Sequence, residues 1–254
     1  MRDSKVVQLE KSRIRKLIWT ILEEKKISRF PKPIFGRIPN FIGSEQAAER
    51  LASTEIFRRA NVIFANPDSP QRKVREISLV EGKTIIMATP RLRKGFIILD
   101  PRKIPSAFIK KASTIRGAFK FGRLVDDLSG YSIDLKLLGS VAVWKDGARV
   151  GKGGGYSDLE YAILRENGWI SEITPLVTTV HDLQLYKEIP MCEHDVPIDY
   201  IITPSKIIKT ELKYKKPKGI YWDILTQEKL SSIPLLQRLW KQDNALMRKE
   251  NHFL

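Results

Sequence analysis

The 254 residues are enough for one large α/β domain or two small ones, and a composition of 42% hydrophobic and 29% charged residues excludes a disordered chain. No apolar run approaches the roughly 20 residues that cross a bilayer, so no membrane association is expected. A single cysteine, Cys192, excludes an internal disulfide framework and fits a cytoplasmic location.

The formal charge of +16 favours polyanionic partners such as RNA or phosphorylated ligands. It is concentrated at the ends: residues 1–40 carry 11 Lys/Arg against 4 Asp/Glu, and residues 205–254 carry 11 against 5. Solvated helical faces explain these ends as well as a nucleic-acid surface does. Residues 1–11 are polar and lack the apolar core of a secretory signal.

In chain order, Val6, Leu9, Ile14, Leu17, Ile18, Ile21 and Leu22 recur at helical spacing and predict a long basic helix over 5–27. Residues 28–39, with three prolines and Gly36, read as a loop. Ser44 is placed to cap a second helix over 45–59. Residues 61–65 read as a strand ending at the Asn66-Pro67-Asp68 turn. A helix over 69–80 stops at Gly82, and strands follow over 84–88 and 96–99. A short helix is expected over 103–111, whereas 100–138 as a whole shows the least regular pattern. Residues 140–144 read as a strand and 145–147 as a tight turn. A helix follows over 156–166, with strands over 175–180 and 198–202.

Strands alternating with helices predict an α/β fold, a three-layer open, largely parallel sheet with helices on both faces. Residues 1–205 would form that domain, and 206–254 a basic C-terminal extension, partly helical. The stripe Leu235, Leu236, Leu239 and Trp240 is suited to packing or to an oligomer contact, and the oligomeric state stays open.

Gly151-Lys152-Gly153-Gly154-Gly155-Tyr156-Ser157-Asp158 is the most distinctive segment. Glycines let a phosphate approach backbone N–H groups, and the helix that follows offers its positive end. Lys152 adds a charge, and Asp158 is placed to hold magnesium beside the phosphates. The spacing matches neither a Walker loop nor a dinucleotide fingerprint, so by itself it specifies an anion site. His181 with Asp182 offers a general base or an ordinary structural histidine, and Cys192 shows no activating neighbour.

The run from Gly139 to Asp158, with its strand, glycine turn, basic residue and G-x-G-x-G-Y segment, resembles the signature of 5-formyltetrahydrofolate cyclo-ligases. Lys11-Ser12-Arg13-Ile14-Arg15 resembles the family's K-x-x-L-R. His194-Asp195-Val196-Pro197-Ile198-Asp199 resembles its H-D-x-x-V-D segment, and Gly82-Lys83-Thr84 through Pro90-Arg91 resembles its G-K-x-V…P-R pattern. The likeness spans about residues 5–205. It differs at Ser157, where the family has a second Tyr, and at Leu159, where Arg is frequent. Ile38-Pro39-Asn40-Phe41, Asn66 to Arg72 and Pro90 to Arg93 resemble a divergent branch, some of whose members carry RNA-binding modules.

The resemblance implies conversion of 5-formyltetrahydrofolate and ATP to 5,10-methenyltetrahydrofolate, ADP and phosphate. There the formyl oxygen attacks the γ-phosphate, N10 attacks the resulting iminium phosphate, and phosphate leaves. Such chemistry needs mainly positioning and charge neutralisation, so Lys152 is the expected catalytic residue. By the same resemblance Lys11, Arg15, Gly151, Lys152, Gly153, Gly154, Gly155, Tyr156 and Ser157 bind ATP. Glu45 and Tyr156 bind a folate-like substrate, and Asp158 and Asp195 hold Mg²⁺. A non-catalytic nucleotide- or RNA-binding protein on the same scaffold is the alternative.

Overall fold

Buried strands that alternate between two faces dictate the layers. The computed structural model describes the backbone of residues 4–250 and the side chains of 5–243; residues 1–3 and 251–254 of the basic ends lie outside the described residues. Strands β3 (Val62–Ala65), β4 (Thr84–Ala88) and β5 (Phe96–Leu99) send Ile63, Ala65, Ile85, Met87, Ile97 and Leu99 to one face. Phe64, Ile86, Ala88, Phe96 and Ile98 go to the other. Both sets are buried, which explains why these strands read as continuous apolar runs.

Together with the hairpin β1 (Ser28–Arg29) and β2 (Asn40–Phe41), the remaining strands are β6 (Arg123–Val125), β7 (Leu135–Leu137), β8 (Ala142–Val143), β9 (Arg149–Val150), β10 (Leu176–Thr179), β11 (Tyr200–Ile202) and β12 (Ile207–Lys209). The central sheet has the order β12-β11-β10-β7-β3-β4-β5-β6. Its five inner strands, β11 to β4, run parallel, while β12 at one edge and β5–β6 at the other are antiparallel.

Helices α2 (Ser44–Ala52), α3 (Glu55–Arg58), α4 (Arg72–Val80) and the pair α5 (Ile109–Ala112) and α6 (Ile115–Phe121) cover one face. Helices α7 (Tyr156–Glu166) and α9 (Pro234–Glu250) cover the other. The three-layer, largely parallel α/β architecture is therefore as expected. From the C-terminal segment, Ile233, Leu235, Leu236 and Leu239 are buried in the same core as Leu159, Ile163 and Leu164 of α7.

Helix α1 (Ser4–Glu24) buries part of the expected stripe, Ile14, Ile18 and Leu22, with its buried face turned from the rest. Val6, Leu9 and Leu17 are exposed, and the buried stripe is Val7, Lys11, Ile14, Arg15, Ile18, Trp19 and Leu22. That stripe packs on the β8–β9 hairpin, against Val141, Ala142, Ala148 and Val150. Lys11 and Arg15 thus point inward, not into a solvated face.

Other boundaries shifted for local reasons. Gly43, in the left-handed region at φ 97°, occupies the cap position before α2, and Ser44 is the first helical residue. The helix expected over 45–59 breaks at Ser53-Thr54, where the Thr54 hydroxyl accepts from Phe57 N–H and starts α3. The strand expected over 140–144 leaves the main sheet and pairs with β9. Its place in the sheet is taken by β7, three residues inside the irregular stretch 100–138. The 103–111 helix resolves into two 3₁₀ turns and the short α5.

Candidate phosphate site at the glycine loop

The site forms where the sheet changes direction. From β3 the chain winds to β4 on one side, whereas β7 lies on the other side of β3 and winds on to β10. Loops leaving the carboxyl ends of β3 and β7 therefore diverge and open a crevice, the usual ligand position in open α/β sheets. Asn66 and Asp68 follow β3, and Gly139 and Ser140 follow β7. At Gly139 a Cβ would lie 2.8 Å from Asp68 Oδ2 and 2.9 Å from Ile38, so the close approach of these loops requires glycine.

The glycine loop runs from β9 into α7; Gly151 is half-buried, and Gly153, Gly154 and Gly155 are exposed. Gly153 (φ 110°) and Gly155 (φ 65°) hold left-handed backbone. Gly155 is the cap residue of α7 and no side chain caps that helix, so its first-turn N–H groups face an approaching anion. Arg15 Nε donates to Gly151 O at 2.8 Å, and its guanidinium carbon lies 3.5 Å from where a Gly153 Cβ would stand. Lys152 Nζ, exposed, pairs with Asp68 Oδ1 at 3.0 Å. The Tyr156 ring folds back against Gly154. Ser157 Oγ donates to Asn66 Oδ1 at 3.4 Å.

Two buried ion pairs stand behind the loop. Lys11 pairs with Asp195, which also accepts from Cys192 N–H. Arg149, which the motif reading noted only as a basic residue, pairs with Asp158; it also donates to Gly139 O at 3.0 Å and Val196 O at 3.2 Å. Burial disfavours the Asp158 carboxylate, but Arg149 and the Val196 N–H outweigh it and hold the group below its ordinary value. Deeper still, Lys136 of β7 has its ammonium 3.7 Å from Glu160 and 3.9 Å from the centre of the Phe64 ring, and it makes no hydrogen bond. Glu160 accepts from Asn66 Nδ2 at 2.8 Å.

The structure thus brings Lys11, Arg15, residues 151–158 and Asp195 together. It places Glu45 otherwise: at the start of α2, accepting from Arg29 at 2.8 Å and Ser44 at 3.2 Å. Asp158 and Asp195 each sit on a cation, and among the described residues no group of three His, Cys, Asp or Glu could hold a metal. A divalent cation here would need oxygen ligands from outside the chain as well. His181 caps a 3₁₀ turn through Nδ1, which accepts from Leu183 N–H at 3.1 Å. Burial raises the Cys192 thiol, and Asp195 adds to this, so it is no activated nucleophile.

Sequence reasoning missed Asp68, Arg149, the Lys136–Glu160 pair and Lys229, whose ammonium lies 5.3 Å from the centre of the Tyr156 ring. The first two lay in quoted segments; Lys136 and Lys229 gave no signal. Lys11, Arg15, Arg149, Lys152 and Lys229 outnumber Asp68, Asp158 and Asp195, leaving a positive crevice suited to a polyphosphate. Among the described residues no helix is long and apolar enough to cross a membrane.

Comparison with known proteins bears on family and fold. Methenyltetrahydrofolate synthase domain-containing proteins of Bos taurus and Mus musculus are 39% and 40% identical over 240 residues each. These alignments cover 92% of this chain but 63% and 64% of the relatives, so the chain spans less than two thirds of their length. The NMR structure of Aquifex aeolicus 5,10-methenyltetrahydrofolate synthetase superposes with a TM-score of 0.50 at 18% identity, covering 85% of this chain and 99% of that one, a likeness of fold. A sequence model of the 5-formyltetrahydrofolate cyclo-ligase family matches residues 7–204, and the chain belongs to that family.

Proposed function

We propose that this protein is an ATP-dependent cyclo-ligase that closes 5-formyltetrahydrofolate, or a related formylated compound, to its methenyl product with release of ADP and phosphate. One observation carries the reading: the uncapped start of α7, behind a glycine loop flanked by Arg15 and Lys152, lies at the sheet's switch point.

In this reading the loop and the α7 N–H groups bind the phosphates, and Arg15 fixes the loop through Gly151. Lys152 exchanges Asp68 for the transferred phosphoryl group and neutralises charge developing there. Lys11 and Arg149 hold Asp195 and Asp158 in place. Mg²⁺ bound with the phosphates would supply further charge neutralisation, with Asp158 or Asp195 as the protein's oxygen ligands. Tyr156 faces the formylated substrate. Glu45, tied to Arg29, is a candidate for the substrate side only if that pair opens.

The test is incubation with 5-formyltetrahydrofolate and Mg-ATP, following methenyl absorbance and ADP together. ATP binding without either product defeats the enzyme reading. A second reading, nucleotide or RNA binding without turnover, is favoured by Leu159, whose side chain lies in the core where the family often carries a basic residue. It predicts RNA binding that weakens steeply with salt.

A further inference from the structure

The family match ends at residue 204, yet the segment beyond it returns to the glycine loop. Its path is fixed by specific contacts. Lys216 Nζ bonds Asp199 Oδ2 at 2.7 Å, Glu172 O at 2.9 Å and Thr174 O at 3.1 Å. Ile220 N–H then donates to Glu166 Oε2 at the far end of α7, at 3.0 Å. Helix α8 (Gln227–Ser232) is capped by the Thr226 hydroxyl, which accepts from Lys229 N–H. Directly after it, Ile233, Leu235, Leu236 and Leu239 enter the core beneath α7. Arg238 anchors the first turns of α9 to Asp126 at 2.8 Å.

Held from both sides, α8 sets Lys229 against the helix end of the loop. Its Nζ lies 3.1 Å from where a Gly155 Cβ would stand. The ammonium is only partly exposed and, among the described residues, pairs with no carboxylate. Burial lowers its pKa, and the nearby Asp158 works against that. A desolvated ammonium without an acid partner, beside uncapped helix N–H groups, gains most from an incoming anion. Arg15 serves the Gly151–Gly153 end of the loop, and Lys229 is the cation at the Gly155 end.

We propose that Lys229 is a phosphate-binding residue of this site, supplied by the C-terminal segment, that contacts the phosphates of a nucleoside triphosphate held by residues 151–155. This rests on the proposed ATP reading of the loop. It also makes nucleotide binding and the docking of α8 two sides of one equilibrium.

Titration calorimetry on the full chain tests it with Mg-ATP and adenosine. Lys229→Gln should weaken Mg-ATP roughly ten- to hundred-fold, as expected for loss of one charged contact, and leave adenosine unchanged. Lys229→Arg should restore most of the ATP affinity. Hydrogen exchange gives an independent readout: Mg-ATP should slow the amides of 226–233 in the wild type and not in Lys229→Gln. Equal ATP affinity in wild type and Lys229→Gln overturns the Lys229 assignment and leaves the loop standing. A wild type that binds no ATP overturns both. Should Lys229→Gln melt early, exchange in the wild type decides alone, and unchanged amides at 226–233 on ATP addition overturn the assignment.

Discussion

At the scale of single residues, Asp68, Asp158 and Asp195 are each paired with a cation. Asp158 shows it best, since its folded carboxyl titrates below the ordinary value because Arg149 and the Val196 N–H outweigh its burial. A depressed pKa contributes stability above the unfolded value, near 3.9, and that contribution is lost as pH falls through the folded value. Asp158→Asn should therefore cost about 3–5 kcal/mol at pH 7, the usual cost of orphaning a buried charge. It should also flatten the loss of stability below pH 4, read by denaturant titration across pH 2–7.

Lys136 gives a slope of the same sign at higher pH. Burial pulls its pKa from 10.5 to about 8, against the pull of Glu160. The unfolded chain then holds more protons between those values, so this lysine's contribution to stability rises with pH from about 8 to 10.5. Lys136→Met should abolish that rise and destabilise by about 3–5 kcal/mol by leaving Glu160 uncompensated, whereas adding Glu160→Gln should recover most of the stability.

At the scale of elements, the site depends on backbone conformation at two helix starts and one short strand. Gly155→Ala places a Cβ in left-handed backbone, at a cost of about 1–2 kcal/mol, and 3.1 Å from Lys229 Nζ. It should lower ATP affinity more than stability, a split visible by calorimetry beside thermal melts. This loop was legible in the sequence because its four glycines open an amphipathic helix within a run that resembles a known family's signature.

Strand β7 was not legible. Leu135-Lys136-Leu137 is three residues long with a charge at its centre, and only its neighbours β3 and β10 make it a strand. Asp134 fixes where it begins, accepting from the N–H groups of Asn61 and Val62 at 2.8 and 2.9 Å. Residues 140–144 gave the stronger apolar pattern, yet they pack beneath α1, and pattern alone does not say which buried run joins the main sheet. Similarly, Lys11 and Arg15 are charged residues on a helix's buried stripe, where periodicity expects apolar ones. The motif found them; the hydrophobic pattern found Ile14, Ile18 and Leu22 of the buried stripe but also took in the exposed Val6, Leu9 and Leu17.

At the scale of the molecule, the positive balance and the fold act together. The crevice gathers cations from α1, β9, the glycine loop and α8, so a bound polyphosphate would tie the two ends of the described chain to its middle. Mg-ATP at about 100 times its dissociation constant should add about 2.7 kcal/mol, or roughly 5–10 °C in melting temperature for a chain of this size. A scanning melt with and without nucleotide reads this directly, and no shift would count against the site. The +16 charge was legible from composition, but which of its cations meet at this crevice was not, since Lys11 meets Asp195 across 184 positions and Arg15 meets Gly151 across 136.

Those sequence separations carry a consequence for how the protein is made. Contacts spanning most of a chain close late, after local helices and hairpins have formed. During synthesis the glycine loop emerges well before the 193–196 turn that anchors Lys11, and earlier still than α8. An unfinished chain therefore exposes the loop with Lys11, Arg15, Arg149 and Lys152 already made, but before Asp195 can hold Lys11 and before Lys229 of α8 exists. If Lys229 takes the proposed role, a polyphosphate would bind a chain that includes α8 more tightly than one interrupted before it.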